Sequence, residues 1–196
     1  MNDIKITNYG ILFDKIDELV KREKPSIIAI DGMCGSGKSH TADLLISRYE
    51  CNVFRMDDYF LPLDMRTDKR LSEPGGNVHY ERFKEEILDP LKDNKTVIYR
   101  PYICGLWKYD EPRTVEFKHL SIIEGSYSMH PYLRETYDLK IFIEVNDEEQ
   151  LNRISNRKEK NNLQYFIEKW IPMENRYFRE LKIKDLSDIV LDTTGI

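Results

Sequence analysis

Several groups of residues in this chain combine types and spacings suited to chemistry. The clearest is Gly32-Met33-Cys34-Gly35-Ser36-Gly37-Lys38-Ser39, which matches G-x-x-x-x-G-K-[ST] at every fixed position. Glycines let such a loop curl until its backbone N–H groups point inward at a polyphosphate. A helix beginning at His40 would add the partial positive charge of its N-terminus. Lys38 has the reach for β- and γ-phosphates, and the Ser39 hydroxyl suits Mg²⁺. The stretch Gly32–His40 is therefore a candidate phosphate cradle. Asp57 and Asp58 form an adjacent carboxylate pair before Tyr59-Phe60, and Glu124 closes the apolar run Leu120–Ile123. In open parallel sheets, ligands bind at the carboxyl ends of strands, where these acids would lie. Glu124 is placed to support a metal held by Ser39. Arg153 and Arg157 share one helix face at i, i+4, a spacing that could clamp a transferring phosphoryl group or simply form a solvated basic stripe.

The elements that must position these groups are legible as periodicities. Ser26–Asp31, Cys51–Met56, Leu120–Gly125 and Tyr137–Val145 are apolar, β-branched runs that read as buried strands. Thr96–Tyr99 and Asp188–Leu191 read as shorter ones, and Thr114–Lys118 as an edge strand or hairpin arm. Residues 9–24 carry Ile11, Leu12, Ile16, Leu19 and Val20 at helical spacing and end at Pro25. His40–Glu50 and His79–Leu91 read as helices, the second closing before Pro90. Asn146-Asp147-Glu148-Glu149 opens another with a capping-box pattern. Residues 162–183 form a long aromatic helix interrupted near Pro172. Leu61–Asn77 is a long polar loop, a length that usually signals function. Arg100–Arg113 is irregular and rich in aromatics. Alternating strands and helices after a phosphate loop predict an α/β P-loop fold: a parallel sheet with helices on both faces and a small helical lid at about 146–162. Residues 1–196 make one domain.

The net charge of −5 argues against a general nucleic-acid-binding surface. No apolar run reaches transmembrane length, and the N-terminus lacks a signal-peptide core. Cys34, Cys51 and Cys104 are odd in number and have no C-x-x-C spacing, which fits reduced thiols in cytoplasm.

With these residues in place, the chain resembles the uridine kinase / phosphoribulokinase family of P-loop kinases from about Ile27 to Phe178. Met56-Asp57-Asp58-Tyr59-Phe60 is similar to the family's D-[SDG]-F-[YF] segment, and Glu124-Gly125 to its strand-end acid. The resemblance implies a cytoplasmic kinase that uses ATP and Mg²⁺ and phosphorylates a hydroxyl of a small metabolite, most simply a nucleoside, with no nucleic-acid or membrane partner. A homo-oligomer stays open. It implies Asp57 as the base, with Lys38 on the phosphates and Arg153 and Arg157 as lid arginines. Acceptor contacts fall to Asp57, Asp58, Tyr59, His79, Tyr102, Arg113 and Glu124. His79 stands where the family's nucleoside-reading Asp is expected, and Tyr102 and Arg113 only echo its P-x-Y-D-F…H-x-R segment. The double Asp before an aromatic pair is similar to nicotinamide riboside kinases, so nicotinamide riboside, pantothenate or a sugar acid are alternative acceptors. An ATP-binding sensor or assembly protein is the reading from another class.

Overall fold

The computed structural model of the chain describes residues 4–156 and 163–196. Its centre is a six-stranded sheet in the order β1-β10-β9-β2-β8-β3. The strands are β1 (Ile4–Ile6), β2 (Ser26–Gly32), β3 (Cys51–Arg55), β8 (Leu120–Glu124), β9 (Leu139–Glu144) and β10 (Ile189–Asp192), and every pairing is parallel. A strand buried on both faces has no polar side to spare, which is why β2 and β8 are apolar almost throughout. Side-chain alternation then divides the interior in two. Ile27 and Ala29 join Phe54, Ile123, Phe83, Ile87 and Phe178 on one face. Ile28 and Ile30 join Leu12, Ile16, Leu45, Ile122 and Ile141 on the other.

The helices α1 (Gly10–Val20) and α2 (Lys38–Arg48) supply the second of these layers. The first is covered by α4 (Tyr80–Phe83), α5 (Asp89–Lys92) and α8 (Ile171–Glu180), the last preceded by the short α7 (Leu163–Tyr165). The helix over residues 80–92 does not close before Pro90. A π turn, Lys84–Leu88, carries it through. The same device, Phe166–Trp170, precedes Pro172 between α7 and α8. Proline lacks an N–H and its ring crowds the carbonyl four residues back. A wider turn just upstream relieves that crowding without ending the helix.

Residues 61–79 hold only short turns: Leu63–Met65 and α3 (Asp68–Leu71). Arg70 braces this loop. Its guanidinium bonds both oxygens of Glu81 at 2.6 and 2.8 Å, the Tyr80 hydroxyl at 2.6 Å, and the carbonyls of Gly76 and Val78. The strands read at Thr96–Tyr99 and Thr114–Lys118 pair with each other, and the stretch Arg100–Arg113, read as irregular, holds a second small antiparallel pair. These are β4 (Val97–Tyr99) with β7 (Arg113–Val115), and β5 (Tyr102–Ile103) with β6 (Lys108–Tyr109). The remaining helix, α6 (Asp147–Ser155), starts as expected, with the Asn146 side chain accepting from Glu149 N–H at 2.8 Å. The reciprocal half of the capping box is not made. Glu149 instead pairs with Arg153 at 2.7 Å, a charged donor that outcompetes an amide. Among the described residues no helix is long and apolar enough to cross a membrane.

Candidate active site

The phosphate loop leaves the central strand β2 and enters α2 directly. Lys38 and Ser39 sit in the first turn of α2, two residues ahead of the helix start expected from sequence. Gly37 is the N-cap at φ 94°, a left-handed backbone that only glycine adopts without strain. Gly32 is needed for a different reason: a Cβ there would lie 2.1 Å from the Ile143 carbonyl of β9. Lys38 is buried, and its Nζ donates to the carbonyls of Gly32 and Met33, each at 2.9 Å. Beside it lies a cleft of about 220 Å³ lined by Gly35, Gly37, Lys38, Ser39, His40 and Arg153.

Strand pairing brings the acids to this cleft. Arg55 and Glu124 are register partners at the carboxyl ends of β3 and β8, and Ile30 pairs with Glu124 across β2. Ser39 Oγ donates to Glu124 Oε1 at 3.1 Å, and Arg55 Nη1 to Glu124 Oε2 at 3.1 Å. Burial raises the Glu124 carboxyl above its ordinary range; Lys38 and Arg55 pull it back down, while Asp57 adds repulsion. Asp57 follows two residues after Arg55, the register partner of Glu124, and so stands at the same strand end. Asp57 is exposed and makes no hydrogen bond or ion pair among the described residues.

The two aspartates diverge. The strand ends at Arg55, and Met56–Tyr59 is a 3₁₀ turn that aims successive side chains about a third of a turn apart. Asp58 is half-buried and pairs with Arg113 at 3.6 Å. Burial raises its carboxyl, and Arg113 opposes the rise. Because Arg113 belongs to β7, this ion pair ties the β4–β7 pair to Asp58; Arg113 also reaches Asp110 at 3.3 Å.

Of the other expected site residues, Arg153 lines this cleft, and Tyr59, Tyr102 and His79 do not. Tyr59 is fully buried; its hydroxyl bonds Glu86 at 2.9 Å and its ring packs on Phe83 and Tyr99. It is a core residue, because the 3₁₀ turn rolls position 59 inward. Tyr102 is buried edge-on to Tyr109 at 5.2 Å. His79 caps α4, its N–H donating to Tyr59 O at 2.7 Å, and its Nδ1 is buried without a partner. Burial, and then Arg82, lower the His79 pKa, which favours the neutral ring. Arg153 lines the cleft, anchored to Thr193 O at 2.7 Å and Glu149 at 2.7 Å. Arg157 lies outside the described residues, as does the end of the expected lid.

Two acids that sequence reading left as ordinary strand and helix positions stand directly beneath the loop. Asp31 is fully buried and accepts from Gly32 N–H, Tyr127 N–H, Met129 N–H and the Tyr177 hydroxyl at 2.7–3.1 Å. Burial pushes its pKa up to about 6 against those hydrogen bonds and the Lys38 charge. Glu174, on α8, accepts from Cys34 N–H and the Ser126 hydroxyl, both at 2.8 Å. Gln150 Nε2 donates to Cys34 O at 2.8 Å, so both sides of that loop peptide are held. A hint of this was present in the sequence: an acid within an otherwise apolar helix face beside Tyr177 and Phe178.

No protein-family model matches the chain, and no curated protein matches it. Solved structures do. One is a possible uridine kinase from Bacillus stearothermophilus, 21% identical, with 93% of this chain covering 100% of that one at a TM-score of 0.65. Another is provisionally assigned as a fructose transport system kinase, from Silicibacter sp. TM1040. It is 18% identical, with 94% of this chain covering 99% of that one at a TM-score of 0.62. The chain has the P-loop kinase fold.

Proposed function

We propose that the chain is an ATP-dependent kinase of the cytoplasm that transfers the γ-phosphoryl group to a hydroxyl of a small metabolite, most simply a nucleoside. The observation that carries this reading is the gathering of Lys38, Ser39, Glu124 and Asp57 just past the carboxyl ends of β2, β8 and β3. The phosphate-loop amides and Lys38 bind the β- and γ-phosphates. Ser39, with Glu124 in support, offers hard oxygen donors of the kind Mg²⁺ takes, the rest of such a shell coming from phosphate and water. Mg²⁺, when bound, neutralises charge on the phosphates. The acceptor hydroxyl oxygen forms a bond to the γ-phosphorus as the bond to the β–γ bridging oxygen breaks, and ADP leaves. Asp57 takes the hydroxyl proton. Arg153 lines the cleft and, with Arg157, adds positive charge toward the transferring group.

His79 stands where the resembled family is expected to carry its nucleoside-reading Asp, and we propose that it reads the acceptor. A neutral imidazole accepts one hydrogen bond and donates one, whereas a carboxylate only accepts. The acceptor therefore differs from uridine in the groups it presents here, or is read by Arg113 and its neighbours; nicotinamide riboside, pantothenate and sugar acids belong in the test. That test is ADP release, measured with Mg-ATP against a panel of nucleosides, nicotinamide riboside, pantothenate and sugar acids. Acceptor-dependent ADP release is expected for one class. Tight ATP binding with no acceptor-dependent turnover across the panel would replace the kinase with a nucleotide sensor.

A further inference from the structure

An ammonium group has three N–H donors. In Lys38 two of them are engaged by Gly32 O and Met33 O. To touch two phosphates, Lys38 must let go of one of these carbonyls. Met33 O keeps a second donor, the Ser36 N–H at 3.0 Å. Gly32 O is buried, and its other donor among the described residues is the Ser126 hydroxyl at 3.0 Å. That same hydroxyl lies 2.8 Å from Glu174 Oε1. One O–H proton serves one acceptor at a time. While Lys38 occupies Gly32 O, the proton belongs on the carboxylate, where the bond is charge-assisted.

We infer that Ser126 is a two-position donor: its hydroxyl turns from Glu174 to the Gly32 carbonyl when Lys38 turns to the nucleotide phosphates. The inference rests on the ATP reading above. Ser126 and Glu174 are positioning residues here, acting through Lys38. Without the turn, a buried carbonyl would be left unpaired at the moment of nucleotide binding, which is costly. Glu174 sets how readily the turn occurs, because it competes for the same proton. Its other oxygen is held by Cys34 N–H at 2.8 Å, so the carboxylate cannot swing away to follow.

The geometry gives opposite signs for two substitutions. In Glu174→Gln, Cys34 N–H requires the amide oxygen on its side. The amide NH₂ then faces Ser126 and donates to its oxygen, which leaves the hydroxyl proton for Gly32 O. The turn is made in advance, and the Kd for AMP-PNP with Mg²⁺ should tighten by about three- to tenfold, the size of one net hydrogen bond. Ser126→Ala removes the replacement donor and should weaken binding by a similar factor. The double variant should bind like Ser126→Ala alone. Calorimetric titration of the full chain with AMP-PNP reads all of these. The inference is overturned if Glu174→Gln weakens binding, or if it tightens binding equally when combined with Ser126→Ala. A purely structural pair would give parallel losses in affinity and melting temperature, which also overturns it. Failure of the unsubstituted chain to bind AMP-PNP is a different result: it removes the nucleotide reading itself.

Discussion

Acids flank the phosphate loop in two settings. Asp31 and Glu174 lie beneath it, buried, and satisfy their oxygens with backbone N–H groups and hydroxyls. Asp57, Asp58 and Glu124 lie at its mouth, where their neighbours are Arg55, Arg113, Ser39 and one another. A carboxylate enclosed by fixed dipoles resists movement and holds the loop in shape. Exposed Asp57 keeps lone pairs for a hydroxyl proton, and Glu124, as buried as Glu174, differs in having a hydroxyl and a guanidinium as partners rather than a backbone amide. The contrast separates groups that shape the loop from groups that act through it.

The strongest way to break the contrast is at Asp57. A general base is typically worth about 10²–10⁴-fold in rate. Asp57→Asn keeps the shape and removes the proton acceptor. Single-turnover rates at saturating ATP and acceptor should fall by about that factor, with ATP binding and melting temperature retained. A comparable loss of stability would move Asp57 into the structural set.

Asp31 sharpens the contrast from the other side, through stability rather than rate. Its folded-state pKa of about 6 lies above the 3.8 of an ordinary aspartate. The folded state therefore holds this proton more tightly than the unfolded state does. Asp31 costs the fold nothing below pH 3.8, and its penalty grows as pH rises to about 6. There it levels off at about 3 kcal/mol. In urea unfolding, Asp31→Asn should remove this component of the slope between pH 4 and 6. At pH 7 its net effect is smaller, because the lost penalty is offset by the amide NH₂ now facing Met129 N–H. An unchanged pH slope in the variant would mean that Asp31 is not the buried titrating acid.

The same division explains what could be read from the chain in advance. The mouth was legible because its parts are local patterns: the glycine–lysine–serine spacing, and acids that end apolar runs. Strands β2, β8 and β9 were legible for the same reason, as was the Asn146 cap of α6. The underside was not. Asp31 finds Tyr127, Met129 and Tyr177 at separations of 96 to 146 residues, and nothing near it in sequence announces those partners. Three-residue β1 was missed because it is paired only by β10, at the far end of the chain. Pro90 and Pro172 were read as helix breaks because a π turn has no residue signature of its own, whereas proline does. Tyr59 was misplaced by treating Asp57–Phe60 as a strand end; a 3₁₀ turn changes which side chain points inward.

The smallest expected effect is at Asp58, and it tests whether the acids at the mouth contribute unequally. Its side chain is turned from the loop toward Arg113, half-buried, in a pair whose arginine is 50% exposed. Such pairs are typically worth about 0.2–1 kcal/mol, up to about fivefold in an equilibrium constant. Asp58→Asn should therefore change activity by less than tenfold, mainly in the KM for the acceptor. A double-mutant cycle with Arg113→Gln should give a coupling of that size, since each single change removes the same contact. Arg113 also opposes the rise that burial imposes on the Asp58 carboxyl, so Arg113→Gln should push the Asp58 pKa further up. Any acid limb in kcat/KM that Asp58 controls would then shift to higher pH, and that shift should vanish in the double variant. If instead Asp58→Asn cripples the single-turnover rate and Asp57→Asn leaves it near normal, the base is the residue paired with Arg113. Proton transfer would then run through the half-buried side of the 3₁₀ turn, and the line between positioning and chemistry would pass between Asp57 and Glu124 instead.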